Sequence, residues 1–180
     1  MVKKLLILGI LIGILVASYF TLYFFDVSGE ILEVRGNNIF IYSIEVRDHL
    51  KEDLIQRGIS PEQATDIVKH PNKYRRVAFT FRFHNHSVWA AVADIQMEAH
   101  LPQDARKRLV WMEHNIMRSY VDSGEKDRPD SLSMIFKLEE GDTEEDLMEI
   151  CKQVRFTVTG KKFGFFDHGS ISVPVHFSGD

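Results

Sequence analysis

Cysteine is nearly absent: Cys151 is the single thiol in 180 residues. An intrachain disulfide is thereby excluded, so a domain of this chain outside the cytoplasm suits a bacterial envelope better than a eukaryotic secretory route, where small domains are often cystine-rich. A basic excess is missing as well. Lys and Arg number 22 against 26 Asp and Glu, for a net charge of −4. Setting aside Lys3 and Lys4 leaves 20 against 26, or −6. A mildly acidic surface excludes nucleic acid as the main partner and argues against adsorption to anionic lipid headgroups. The spacings G-x-S-x-G, P-loop and H-E-x-x-H do not occur, so none of these catalytic signatures marks an enzyme. Long apolar runs are lacking everywhere except at the start.

That start is the strongest feature. Leu5 to Phe25 carries no charge, and a helix of this length at about 1.5 Å per residue spans a hydrocarbon core of roughly 30 Å. Lys3 and Lys4 precede it, while Asp26, Glu30 and Glu33 follow with Arg35 alone to offset them. The positive-inside rule places the N-terminus in the cytoplasm and the rest outside. Residues 1–25 are therefore expected to be a signal anchor that contacts the bilayer through residues 5–25, and 26–180 an extracytoplasmic domain. The competing reading is a signal peptide cleaved near Ser18, after Val16-Ala17-Ser18, with the domain then secreted. Gly9 and Gly13 form a G-x-x-x-G pair extended by Ala17, a face through which two membrane helices approach closely, as a homodimer or with a partner helix.

Beyond the anchor, about 155 residues suffice for one core. Ile31–Val34 and Ile39–Tyr42 read as two strands joined by a hairpin turn at Gly36-Asn37-Asn38. A helical insertion near 48–69 follows. Asp48–Arg57 has helical spacing and ends at Gly58, and Ser60-Pro61-Glu62-Gln63 supplies a cap, a first-turn proline and a capping-box glutamine. Period-2 alternation then recurs. It is seen in Val77, Phe79, Phe81 and Phe83, then in Ala91, Ala93, Ile95 and Met97, then in Leu132, Met134, Phe136 and Leu138. Val154, Phe156 and Val158 continue it, as do Ile171, Val173, Val175 and Phe177. Pro102–Tyr120, with Leu109, Met112, Ile116 and Tyr120 at helical spacing, is expected to be a helix. Asp122–Asp130 reads as a loop, and Thr143-Glu144-Glu145-Asp146 as a capped helix start whose buried face is Leu147, Ile150, Cys151 and Val154. Six or seven half-apolar strands predict a mainly β chain, an antiparallel two-sheet sandwich with short helical insertions behind one membrane helix; α+β is the alternative.

The run Val77–Pro102, with its alternating phenylalanines, its Asn85-His86-Ser87 turn and its Ile95-Gln96-Met97-Glu98 strand ending in Leu101-Pro102, resembles immunoglobulin-like domains of bacterial envelope proteins. The Leu132–Leu138 strand, the acidic capped helix and the Val154–Val158 strand are similar to theirs too, and together these cover about two-thirds of the soluble part. The insertion at Asp48–Lys69 departs from a minimal sandwich. The resemblance implies a binding or accessory role and carries over no catalytic residue and no cofactor.

Candidate chemistry is sparse. His84 and His86 are two residues apart and can share a metal ion, but zinc wants three or four ligands and nothing near them in sequence supplies a third. His49, His70, His100, His114, His168 and His176 are scattered. The acidic run Glu139–Asp146 lacks EF-hand spacing and suits the first turn of a helix. Cys151, on an apolar face, reads as a packed thiol. Asn85-His86-Ser87 matches a glycosylation acceptor, relevant only in a eukaryotic secretory pathway. The preferred partner surface is Arg106, Arg108, Val110, Trp111 and Met112, because aromatic, Met and Arg residues are enriched at interfaces; burial of Trp111 in the core is the plainer alternative. The expectation is a non-catalytic, membrane-tethered binding or accessory protein of the cell envelope, with a membrane or cell-surface protein as partner. Its rivals are an extracytoplasmic enzyme assembled from His84, His86, Asp94 and His168, and a small-ligand or cell-wall sensor.

Overall fold

The structure, a computed structural model, describes residues 2–24, 32–87, 91–113, 120–126, 128–162 and 166–174, with side chains described at 4, 6–18, 32–34, 38–87, 91–113, 120–126 and 129–161. Helix α1 (Val2–Phe24) covers the apolar start. Among the described residues no helix is long and apolar enough to cross a membrane.

Strand β1 (Leu32–Ser43) replaces the expected hairpin. It pairs along its length with antiparallel β2 (Tyr74–Asn85), from Leu32↔Asn85 to Ser43↔Arg75. Between Arg35↔Arg82 and Asn38↔Thr80 it advances three residues against two, so Gly36-Asn37-Asn38 carries a bulge and no reversal. Gly and Asn tolerate the dihedrals of either feature. Twelve residues of β2 are long enough to pair both halves of β1, and that decides for the bulge.

Between β1 and β2 lie α2 (Leu50–Gln56) and α3 (Pro61–Lys69), followed by one 3-10 turn at Pro71–Lys73. Gly58, at φ +89°, makes the break between the two helices. Ser60 caps α3: its Oγ accepts from the Gln63 N–H at 3.2 Å and its hydroxyl donates to Gln63 Oε1 at 3.2 Å. The return bond thus reaches the hydroxyl and not the Ser60 backbone.

Strand β3 (Val92–His100) departs from the expected alternation, since Val92 and Ile95 both point into the core. Asp94 sits at φ +49°, and the register with β7 (Arg155–Lys162) slips between Ala93 and Gln96. This bulge moves the inward face by one residue. The expected helix over Pro102–Tyr120 is also corrected. Helix α4 stops after Gln103–Arg108, and β4 (Leu109–Met112) pairs with β6 (Arg128–Lys137). A register slip between Leu109 and Trp111 puts Leu109 and Met112 against the main core and Val110 and Trp111 against a second cluster. A bulged strand thus imitates the i, i+3 spacing of a helix. Tyr120 lies in the two-residue β5 (Tyr120–Val121), and part of the expected loop, Arg128–Asp130, is strand. Helix α5 (Glu144–Cys151) has the full capping box: Thr143 Oγ accepts from the Asp146 N–H, and Asp146 accepts from the Thr143 N–H at 2.8 Å. Strand β8 (Phe166–Pro174) completes the set. Ile116, Val175 and Phe177 lie outside the described residues.

Two antiparallel sheets result, β1-β2-β6-β4 and β5-β3-β7-β8. They pack face to face around Val77, Phe79, Phe81, Phe83, Met134 and Phe136 from the first sheet and Val92, Ile95, Val121, Phe156 and Val158 from the second. Phe156 meets Phe79 and Phe81 edge-on at ring separations of 5.1 and 4.9 Å, a favoured aromatic geometry. The chain is mainly β, a sandwich. Helices α2 and α3 cover one end of the first sheet's outer face, where Leu54, Ile59, Ala64 and Ile67 bury Tyr74 and Ile135. The buried Ile135 on the otherwise polar face of β6 belongs to this second cluster.

Candidate functional site

The opposite end of that outer face is where β2 runs out, and it holds a cluster of ligating side chains. Residues of even number on β2 point outward, so His84 lies outside while Phe83 and Asn85 point in. Glu33 is directly opposite His84 across the β1–β2 ladder, and His86 follows two residues later. The His84 and His86 rings stack at 4.0 Å between centroids, 24° from parallel. His86 Nε2 lies 2.7 Å from Glu33 Oε2, and one ligand atom from each of Glu33, His84 and His86 falls within 4.8 Å of the others. Among the described residues this is the one group of three or more His, Cys, Asp or Glu side chains so disposed. As an ion pair alone it is modest, because His86 is 45% and Glu33 34% exposed and such pairs are worth about 0–1 kcal/mol. The Nδ1 of His84 is buried without a hydrogen-bond partner, an arrangement that costs on the order of 1–3 kcal/mol.

Asn85 fixes the turn between the two histidines. It is fully buried; its Nδ2 donates to the Val121 carbonyl at 3.2 Å, its Oδ1 accepts from the Ser87 N–H at 2.9 Å, and its own N–H donates to the Glu125 carbonyl at 2.9 Å. The glycosylation reading does not suit the folded chain, since the nitrogen that would be modified is inside. Sequence reasoning saw His84 and His86 but missed Glu33, 51 residues upstream of His84. The signal was the pairing of β1 with β2, hidden by the mistaken hairpin.

The proposed partner surface is largely engaged internally. The Trp111 indole donates to the Arg57 carbonyl at 2.7 Å, the Arg57 guanidinium sits 5.9 Å from the ring centroid, and Trp111 and Val110 pack on the α2–α3 cluster. Met112 packs on the main core. Arg108 is 13% exposed and paired with Asp142 and Glu139. Arg106 is exposed and donates to the Leu101 carbonyl at 3.4 Å.

The remaining candidates do not converge. Asp94 pairs with Lys161 at 3.4 Å on β3, away from the histidine pair in the other sheet, and the His168 side chain lies outside the described residues, as do His114 and His176. His70 pairs with Asp66 at 2.9 Å and His100 with Thr157 at 2.7 Å. In the acidic run, Glu144 meets Arg75 at 2.6 Å, Asp142 meets Arg108, and Asp146 caps α5. The Thr143 hydrogen bonds hold the Asp146 carboxyl below its usual range. Cys151 is fully buried, and burial pushes its thiol up to about 12, so it does not supply a thiolate near neutrality. Ser123-Gly124-Glu125-Lys126 does fit S-x-x-K spacing, but it forms an exposed turn with Gly124 at φ +68° and not the helical turn that would bring Lys to Ser. A cleft of about 600 Å³ mixes Lys73, Lys107 and Lys137 with Glu139, Glu140 and Asp142, without a single sign of charge to select a ligand. The largest exposed apolar side chains of the described sandwich include Phe40 and Tyr42, whose rings stack at 6.3 Å on edge strand β1.

No protein-family model matches the chain, and no curated protein matches it. Among solved structures, the crystal structure of the yeast GGA1_GAE domain–P21 is similar over 56% of this chain and 80% of that chain, at 9% identity and a TM-score of 0.33. A likeness this loose carries no argument about fold or function.

Proposed function

We propose that this protein is a membrane-tethered, non-catalytic binding domain of the cell envelope, held outside the bilayer by α1 and engaging a membrane or cell-surface protein. The observation that carries the reading is α1 itself. Leu6, Ile7, Leu8, Ile10, Leu11, Ile12, Ile14, Leu15 and Val16 of α1 are each 49–68% exposed. So much aliphatic surface calls for lipid or a partner helix. Gly9 and Gly13 have open space around them, and with Ala17 they offer a close-approach face for a second copy or a partner helix.

The finer assignment, immunoglobulin-like, rests on strand order. β1-β2-β6-β4 and β3-β7-β8 follow the A-B-E-D and C-F-G order of constant-type immunoglobulin domains. The departure is β5, which lies beside β3 but comes after β4 in the chain. Such domains serve widely as binding modules, and the exposed Phe40–Tyr42 pair on the β1 edge has the aromatic character of interface centres. Tethering confines the domain near the bilayer and raises its effective concentration toward a membrane partner.

The test is co-purification from membranes in mild detergent, wild type beside a Phe40→Ser/Tyr42→Ser variant. The reading predicts a stoichiometric membrane or surface protein with the wild type and its loss from the variant. Recovery of the protein alone contradicts it.

A further inference from the structure

We propose that Glu33, His84 and His86 bind a divalent transition-metal ion, zinc by their chemistry, with a fourth coordination position open to solvent. Two imidazoles and one carboxylate form a donor set that zinc takes where three protein ligands leave one site free. Calcium and magnesium prefer oxygen throughout, and the absence of a thiolate argues against cuprous ion. Bonds of about 2.0–2.1 Å in a tetrahedron set donors roughly 3.4 Å apart. The three ligand atoms already lie within 4.8 Å of one another, so side-chain rotation closes the difference without moving the strands.

The backbone positions this set before any ion arrives. Glu33 and His84 are ladder partners, and His86 is held by the turn that Asn85 locks through Val121, Ser87 and Glu125. Asn85 is thus a positioning residue. The unpartnered Nδ1 of His84 is an independent sign: a ring nitrogen buried without a hydrogen bond, in one of the two rings that would ligate. Glu33, half-exposed beside His86, brings the negative charge that favours a cation between them. The proposal does not depend on the membrane tether or on the partner.

The experiment titrates the full chain, purified without a polyhistidine tag in detergent micelles, with Zn²⁺ by calorimetry and with Co²⁺ by visible absorption. The expected result is one ion per chain, with the d–d bands of tetrahedral Co²⁺. Binding is expected to disappear in His84→Ala/His86→Ala, to weaken at least about tenfold in Glu33→Gln, a loss at least as large as that for second-shell partners, and to stay unchanged in His70→Asn. Thermal unfolding in chelator shows whether each variant keeps the metal-free fold; if the double variant does not, Glu33→Gln and His86→Asn decide by the same criterion. Binding undiminished in the site variants overturns the proposal. So does the absence of binding by the wild type at millimolar zinc.

Discussion

Tyr74 closes the second cluster from below, 3% exposed, with its hydroxyl donating to Asp66. Burial first, then that hydrogen bond, pushes its phenol up to about 12 from 10.0, while the same bond and His70 hold the Asp66 carboxyl below its usual range. The two shifts act at opposite ends of the pH scale. Below pH 10 the phenol is protonated in folded and unfolded chains alike, and its contribution is fully present. As pH rises from about 10 to about 12 the unfolded chain loses a proton that the folded chain keeps, so stability falls. Asp66 contributes above its unfolded value, 3.8, and that contribution is lost as pH falls through its lower folded value. Tyr74→Phe is therefore expected to flatten the alkaline decline of the urea midpoint relative to wild type, whereas an unchanged slope would contradict the assignment. Asn85 gives a second prediction at this scale. Asn85→Ala removes the side-chain hydrogen bonds to the Val121 carbonyl and the Ser87 N–H from a fully buried position, for a loss of roughly 1–3 kcal/mol in urea denaturation.

At the level of elements, bulges organise the sandwich. On β3 the bulge at Asp94 turns Val92 and Ile95 toward the same spot, and Gly160 on the paired strand β7 is what leaves room for them. A Cβ there would meet Val92 Cγ1 at 2.6 Å and Ile95 Cγ1 at 3.6 Å. Gly160→Ala is expected to cost about 1–3 kcal/mol through overpacking, whereas Gly58→Ala meets no atom within 4 Å and is penalised only by its φ of +89°. Thr143→Ala, which opens the α5 capping box, is expected to cost about 1 kcal/mol by thermal unfolding. The α5 box, the Ser60 cap and the plain alternation of β2 were legible in the sequence because each depends on neighbours a few residues apart. β1, β3 and β4 were misread for one shared reason. An extra residue in a strand breaks period 2 and yields i, i+3 pairs such as Val92/Ile95 and Leu109/Met112, which sequence alone does not separate from a helix or a turn. The Glu33–His84–His86 group was half legible: its histidines are two residues apart in sequence, but Glu33 joins them only through the register of β1 on β2.

For the molecule as a whole, one core serves both sheets and a smaller one docks α2 and α3 to the outer face. That division explains why Trp111 reads as an interface residue in sequence yet packs, half-buried, on its own chain: the helical insertion is its partner. Phe156→Ala removes the ring that both Phe79 and Phe81 contact across the sheets and is expected to destabilise by about 3–5 kcal/mol. The proposed tether rests on no such long-range contact: it is argued from composition, from an uncharged run from Leu5 to Phe25 behind two lysines. Whether this run stays in the bilayer with the sandwich attached is read from the mass of the species retained in the membrane pellet after an alkaline carbonate wash. The intact chain of 20.8 kDa is expected in the pellet. Release of the protein into the wash, or a mature species beginning near Tyr19, would contradict it.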